Sequence, residues 1–117
     1  MILVDTSIWI DHFRRKNTQL VSLLHAGHVH CHQFVIGELA CGQLRQRSDI
    51  LYYLSNLPHA TTVRHEEALE LVEQRRLHGS GLGWIDVHLL AAAVIDGLRL
   101  WTADKALVDA AKKVGVK

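Results

Sequence analysis

The chain has 117 residues, with thirteen Lys and Arg against twelve Asp and Glu and a formal net charge of +1. Nearly half of the residues are apolar, which is enough to bury the core of one compact domain, so we expect a single domain over residues 1–117. The composition argues against three classes of protein. Two cysteines are too few for a disulfide framework, no apolar run reaches the roughly 18 residues that span a bilayer, and the near-neutral charge does not mark a nucleic-acid binder. We expect a cytoplasmic protein without a signal peptide.

The first half of the chain alternates short strand patterns with helical patterns. Residues 2–4 form a continuous apolar run typical of a buried strand, and the alternating HVHCH at 28–32 predicts a second strand. Amphipathic or apolar helical spacing predicts helices over residues 7–15, 18–27, 34–44 and 48–57.

The second half continues the alternation. HATTV and LRLWT are rich enough in β-branched and apolar residues to predict two more strands. Helices are predicted over residues 66–79, 84–97 and 104–115. Alternating strands and helices predict an α/β fold with a mostly parallel sheet covered on both faces, and such sheets bind ligands beyond the carboxyl ends of their strands.

Four carboxylates stand among residues that should belong to the core. They are Asp5 in ILVDTS, Glu38 in VIGELA, Asp86 in GWIDVHLL and Asp104 in LWTADKAL. The three aspartates fall where helices begin, and each of them alone is explained as a helix cap. Glu38 lies within an apolar helix, where an unpaired ionised carboxylate costs several kcal/mol, so it requires a partner.

The topology of a parallel sheet brings these carboxylates together. Asp5 follows the first strand and Asp104 the last, so both project from the same edge, and Asp86 and Glu38 lie in helices that pack over it. Converging carboxylates repel one another, so either their pKa values rise or a divalent cation compensates their charge. Oxygen ligands favour Mg²⁺ or Mn²⁺ over zinc, and such sites normally act on phosphates.

The segments VDTSIWI, DVHLLAAA and LWTADKAL, with a single Glu in a helix at position 38, resemble the PIN-domain ribonucleases. The resemblance is greatest to the short VapC-type toxins of bacterial type II toxin–antitoxin pairs, and it extends from residue 2 to about residue 110. It implies a PIN-like three-layer α/β/α fold with a central sheet of four to five strands. It also implies a metal-dependent endoribonuclease that uses Mg²⁺, or Mn²⁺ in its place, and leaves a 5′-phosphate.

The same resemblance assigns roles to residues and partners. Asp5 and Asp86 would be the principal metal ligands, Glu38 would bind the metal directly or through water, and Asp104 would complete the site or serve only as a cap. The supporting hydroxyl residues would be Thr6, Ser7 and Thr102, which hold water, metal or phosphate. The partners implied are an RNA substrate, an antitoxin encoded beside the toxin, and a second copy of the chain in a homodimer.

Other features allow competing interpretations. His28, His30 and His32 share one face of the predicted strand and, with His25, suggest a zinc or copper site. Their spacing of about 7 Å along a strand favours structural histidines instead. The glycine-rich GSGLG follows a helix and lacks Lys-Ser/Thr, so it is not a phosphate-binding P-loop.

Aromatic and basic residues also leave alternatives open. The three tryptophans lie in apolar contexts that favour core or interface packing over base stacking. Basic residues at helix ends either contact RNA or complement the helix dipole; they are Arg14, Arg15, Lys16, Arg45 and Arg47. Two further functions remain alternatives to the toxin: a PIN nuclease in RNA processing, and a non-catalytic PIN-like binding module whose acids only cap helices.

Overall fold

The computed structural model describes all residues of the chain, Met1–Lys117. It contains three strands and seven helices, which follow one another as β1 (Ile2–Val4), α1 (Thr6–Arg14), α2 (Thr18–His25), β2 (Val29–His30), α3 (Gln33–Cys41), α4 (Arg47–Ser55), α5 (His65–Arg75), α6 (Trp84–Asp96), β3 (Arg99–Trp101) and α7 (Lys105–Lys113).

The sheet is parallel and β1 is its central strand, in the order β2-β1-β3. Ile2 pairs with Val29 on one side, and Val4 pairs with Trp101 on the other. All three residues of β1 are buried. Because successive side chains of a strand point to opposite faces, helices must cover both faces of the sheet. The predicted α/β fold with a covered parallel sheet is therefore confirmed.

The number of strands differs from the prediction of four to five. The segment HATTV makes only one parallel bridge, between Cys31 and His59. Beyond it, the N–H and the hydroxyl of Thr61 both donate to the carboxylate of Asp96 (2.7 Å each). The Asp96 carboxylate thus accepts the hydrogen bond from the Thr61 N–H that a longer β-ladder would use, and the strand does not extend.

Helix α6 forms the middle of the main core. Its residues from Val87 to Ala93 are all buried, so the helix is surrounded by protein along two turns. This burial explains why the segment LLAAA, residues 89–93, is uniformly apolar rather than amphipathic. The burial also fixes the start of the helix, and with it the position of Asp86.

The two cysteines have different environments. Cys31 is buried, and burial raises the pKa of its thiol to about 11, so it behaves as a small apolar side chain. Cys41 is exposed at the end of α3, although its apolar sequence neighbours favour burial. Helix α3 instead buries Val35 and Leu39. None of the seven helices is long and apolar enough to cross a lipid bilayer.

Candidate functional site

Asp5 lies directly beyond the carboxyl end of the central strand β1. The residue is only 6% exposed, and its backbone N–H donates to the carbonyl of Trp101 at the end of β3 (2.9 Å). Its Oδ1 accepts a hydrogen bond from the N–H of Thr6 (2.7 Å), which makes Asp5 the N-cap of α1. Two strands and one helix therefore hold this carboxylate rigidly at the edge of the sheet.

Two hydroxyl groups join Asp5 to the loop that follows β3. The Oδ2 atom of Asp5 accepts from Ser7 Oγ (2.9 Å) and from Thr102 Oγ1 (2.6 Å). Each hydroxyl oxygen also accepts from the loop backbone, since Ser7 Oγ binds the N–H of Ala103 (3.1 Å) and Thr102 Oγ1 binds the N–H of Asp104 (3.0 Å). These four bonds fix the segment that carries Asp104 relative to Asp5.

Asp104 and Asp86 both use one carboxylate oxygen on a helix N-terminus. Asp104 Oδ1 accepts from the N–H of Leu107 (3.2 Å) in α7, and Asp86 Oδ2 accepts from the N–H of Gly83 (2.9 Å) before α6. Their second oxygens make no hydrogen bond within the protein. Burial raises the pKa of Asp86, and the negative charges of Asp5 and Asp104 raise it further, while the Gly83 N–H lowers it. Asp86 therefore lies within the electrostatic field of the other two aspartates.

Glu38 is connected to this group through Thr6. Its Oε1 accepts from Thr6 Oγ1 (2.7 Å), which joins α3 to the residue beside Asp5. The side chain is exposed rather than buried in the core, because α3 turns this position outward. No hydrogen bond joins Glu38 to Asp86 or Asp104. Because Glu38 is exposed, the expected cost of burying an unpaired charge does not arise, and the hydrogen bond to Thr6 places Glu38 at the outer margin of the group.

The donor set of the four carboxylates suits a hard divalent cation. All potential ligands are oxygen atoms, and none of the four acids forms a salt bridge with Lys, Arg or His. No three Asp, Glu, His or Cys side chains lie close enough together to make a ready-formed metal cage. The four acids therefore fit a divalent cation in the chemistry and charge of their side chains, although they do not form a closed cage around one position.

A large groove opens beside Glu38. Its volume is about 1130 Å³, and three basic side chains on its walls, Arg14, Lys16 and Arg45, make no salt bridge. The other two basic candidates are engaged elsewhere. Arg15 faces Asp11 (3.6 Å), and Arg47 Nη2 donates to the carbonyl of Ala40 (2.9 Å). Three of the five basic residues that are candidates for RNA contact therefore have no carboxylate partner within the chain.

The histidine-rich segment has a structural role at its final residue. His32 is fully buried and caps α3, since its Nδ1 accepts from the N–H of Phe34 (2.9 Å). His28 is exposed and His30 is half-buried, and no three His, Cys, Asp or Glu side chains in this segment are grouped so that they could hold a metal ion.

Among the tryptophans, Trp9 is buried and Trp101 half-buried, as the apolar context predicts. Trp84 is 40% exposed, so core packing does not describe it. Local composition does not indicate this exposure, because Trp84 is the first residue of α6, the most apolar helix of the chain.

Comparison with known proteins decides the family. The model of the PIN domain family matches residues 2–113. The chain belongs to the PIN domain family. Proteins named Ribonuclease VapC32 from two strains of Mycobacterium tuberculosis, CDC 1551 / Oshkosh and ATCC 25618 / H37Rv, are each 49% identical to it over 117 residues. These residues cover 99% of this chain and 94% of each relative. The resemblance to VapC-type PIN proteins is therefore confirmed along nearly the whole length.

Proposed function

We propose that this PIN-domain protein is a metal-dependent endoribonuclease and the toxin of a type II toxin–antitoxin pair, active in the cytoplasm. The observation that carries the proposal is the group of acids at the carboxyl edge of the sheet, which no basic side chain neutralises. The name Ribonuclease VapC32 of its 49% identical relatives supports RNA as the substrate.

The proposed site assigns a task to each residue. Asp5, Glu38, Asp86 and Asp104 would hold Mg²⁺, or Mn²⁺ in its place. When bound, the metal lowers the pKa of a water molecule and stabilises negative charge on the phosphoryl oxygens.

The supporting hydroxyl residues keep the acids in position. Thr6 holds Glu38, while Ser7 and Thr102 orient Asp5 through its Oδ2 atom. Hydrogen bonds that orient the acids reduce the reorganisation that metal binding requires, so they would contribute to metal affinity.

Two partners belong to the same proposal. An apolar groove of about 340 Å³ between α1, α2 and α4, with Trp9, Phe13 and Leu24 among its lining residues, supports an antitoxin helix as one partner. Exposed apolar side chains on α5 and α6, namely Leu69, Val94 and Ile95, support a homodimer. Light scattering of the purified chain measures whether it is a dimer. Co-expression with a neighbouring antitoxin gene tests whether the two proteins form a complex.

The direct experiment compares Asp5→Asn with Asp11→Asn as a matched control. Both residues belong to the first helix region, but Asp11 is exposed and pairs only with Arg15. Sequencing of the RNA ends that arise on induction should show new ends carrying 5′-phosphates for wild type and Asp11→Asn, and none for Asp5→Asn. Unchanged cleavage by a folded Asp5→Asn variant would remove the catalytic assignment.

One observation favours a second function, a non-catalytic binding module. All three aspartates do cap helices in the structure, with Asp5 on Thr6, Asp86 on Gly83 and Asp104 on Leu107. If capping were their only role, RNA would bind without being cleaved and Mg²⁺ would not stabilise the protein. A nuclease that processes RNA without a toxin role would cleave RNA but would have no antitoxin gene beside it.

A further inference from the structure

Five aromatic rings form a continuous ladder from the interior to the surface. The ring centroids are separated by 5.1 Å between His32 and Phe34, 4.8 Å between Phe34 and His88, 4.9 Å between His88 and Trp84, and 5.1 Å between Trp84 and His65. His32 and His88 are buried, whereas Trp84 and His65 are exposed. The inner rings thus anchor the outer pair.

The ladder adjoins two of the acid-bearing helices. Phe34 precedes Glu38 on α3 by four residues, so the two side chains share one face about 6 Å apart along the axis. Trp84 is the first residue of α6, and Asp86 in the same turn reaches back to the N–H of Gly83. The exposed end of the ladder therefore belongs to the first turn of α6, the same turn that carries Asp86.

Trp84 is held in place although it is exposed. It contacts His88 nearly edge-to-face, with 84° between the ring planes, and His65 at a tilt of 55°. Two ring contacts restrict the rotamers of the indole, while 40% of the residue remains accessible. A fixed, accessible aromatic ring loses little entropy when another ring stacks on it.

We propose that Trp84, flanked by His65, is a stacking platform for one unpaired base of the RNA next to the phosphodiester that is cleaved. This inference rests on the proposed ribonuclease function and adds to it a residue that binds the substrate. Every nucleobase has a π-face, so the platform tolerates any base but requires that the base be free of a duplex. Single-stranded RNA is therefore the preferred substrate.

The test measures binding of short fluorescent RNAs in EDTA, where no cleavage occurs. Wild type is compared with Trp84→Leu, which keeps apolar bulk without a ring, and with Trp84→Phe, which keeps a ring. Tyr52→Leu is the matched control, because Tyr52 is 73% exposed on α4 and does not belong to the ladder. Loss of one base stack weakens binding by about tenfold, so we expect this loss for Trp84→Leu, a smaller loss for Trp84→Phe and none for Tyr52→Leu.

RNAs that each lack one base test whether Trp84 binds RNA by stacking on a base or contributes to binding in another way. Wild type should lose about tenfold in affinity at one abasic position, and Trp84→Leu should lose nothing further at that position. Equal losses in both proteins overturn the platform, and so does a Trp84→Leu variant that binds like wild type. If Trp84→Leu changes the oligomeric state but loses affinity at the same abasic positions as wild type, Trp84 belongs to a subunit interface. That result also overturns the stacking platform. Absence of RNA binding and cleavage by wild type would instead overturn the proposed function itself.

Discussion

Thr102 joins two of the four acids through a single hydroxyl group. Its Oγ1 donates to Asp5 Oδ2 (2.6 Å) and accepts from the N–H of Asp104 (3.0 Å). The hydroxyl therefore sets both the orientation of one carboxylate and the path of the backbone that carries another.

Replacing Thr102 by Val removes this hydroxyl and keeps the shape of the side chain. Loss of a residue that orients metal ligands typically costs about 10-fold to 100-fold in metal affinity or activity, and we expect a fall in RNA cleavage of that size. Thr102→Ser keeps the hydroxyl and should retain most of the activity. Cleavage measured over a range of Mg²⁺ concentrations tests this, and equal activity of the Val and Ser variants would show that the hydroxyl is dispensable.

His32 is a second residue with a measurable consequence. Burial, together with smaller contributions from the nearby His88 and His59, lowers the pKa of His32 to about 4, against the opposing effect of Asp96. The folded state thus holds His32 neutral, whereas the unfolded chain binds a proton with a pKa of about 6.5. The unfolded state binds more protons between these values, so the contribution of His32 to stability is complete above pH 6.5 and is lost as the pH falls toward 4.

Because the unfolded chain protonates at His32, we expect the free energy of unfolding to fall by about 2 kcal/mol when the pH is lowered from 7.5 to 5. His32→Asn keeps an oxygen that can accept from the N–H of Phe34, but it does not titrate. Urea unfolding of both proteins at the two pH values isolates the effect, because the other histidines are common to both. The same pH-dependent loss in wild type and variant would contradict the assignment.

Single residues were predictable from the sequence to different degrees. The order of strands placed Asp5 and Asp104 at one edge, and the structure agrees with that placement. The bond between Asp5 and Thr102 joins residues 97 positions apart, and no spacing rule predicts such a pair. The exposure of Trp84 was missed because local apolarity predicts burial, whereas the first residue of a helix can face solvent when its partner rings come from other helices.

Two glycines, Gly97 at the end of α6 and Gly37 inside α3, differ in backbone conformation but both have open space where a Cβ atom would lie. Gly97 ends α6 with φ +66°, while Gly37 lies inside α3 with ordinary helical geometry. A Cβ atom would meet nothing within 4 Å at either site. The effect of a methyl group at these positions therefore reports backbone preference and not packing.

Gly97→Ala should destabilise the protein by about 1 kcal/mol, because a left-handed conformation is costly for a residue with a Cβ. Gly37→Ala should stabilise it by about 0.5–1 kcal/mol, because alanine loses less backbone entropy in a helix. Urea unfolding measures both. Changes of the same sign would contradict the assigned backbone conformations.

At the level of helices and strands, the sequence predicted the order of elements well and the extent of pairing poorly. Periodicity identified all seven helices, since each must turn an apolar side toward the core. The strand expected from HATTV shortens to a single bridge because Asp96, 35 residues away, binds Thr61. The composition of HATTV cannot reveal that Asp96, at the end of α6, competes for its backbone N–H.

The molecule as a whole combines a rigid sheet edge with a charge that its own side chains do not balance. Only three salt bridges occur in the chain, all between residues three or four positions apart on a helix surface, and none involves the four acids. Repulsion among Asp5, Asp86 and Asp104 is a cost to the folded state when no cation is bound. Binding of a cation to the folded state alone would reverse this cost.

This cost can be removed without removing the helix caps. Asn caps helices about as well as Asp, so amide substitution eliminates the negative charges and keeps the backbone hydrogen bonds. The test variant combines Asp5→Asn, Glu38→Gln, Asp86→Asn and Asp104→Asn. Its control makes the same change at four exposed acids, Asp11, Asp49, Glu66 and Glu73.

The unfolding free energy of these three proteins, with and without Mg²⁺, tests the proposed metal site most directly. Without Mg²⁺, the test variant should be more stable than wild type, while the control should not. At a Mg²⁺ concentration ten times the Kd, wild type and control should gain about 1.4 kcal/mol and the test variant nothing. If Mg²⁺ leaves wild type unchanged and the test variant is no more stable than wild type, the four acids are helix caps and surface charges, and the metal-dependent nuclease site is wrong.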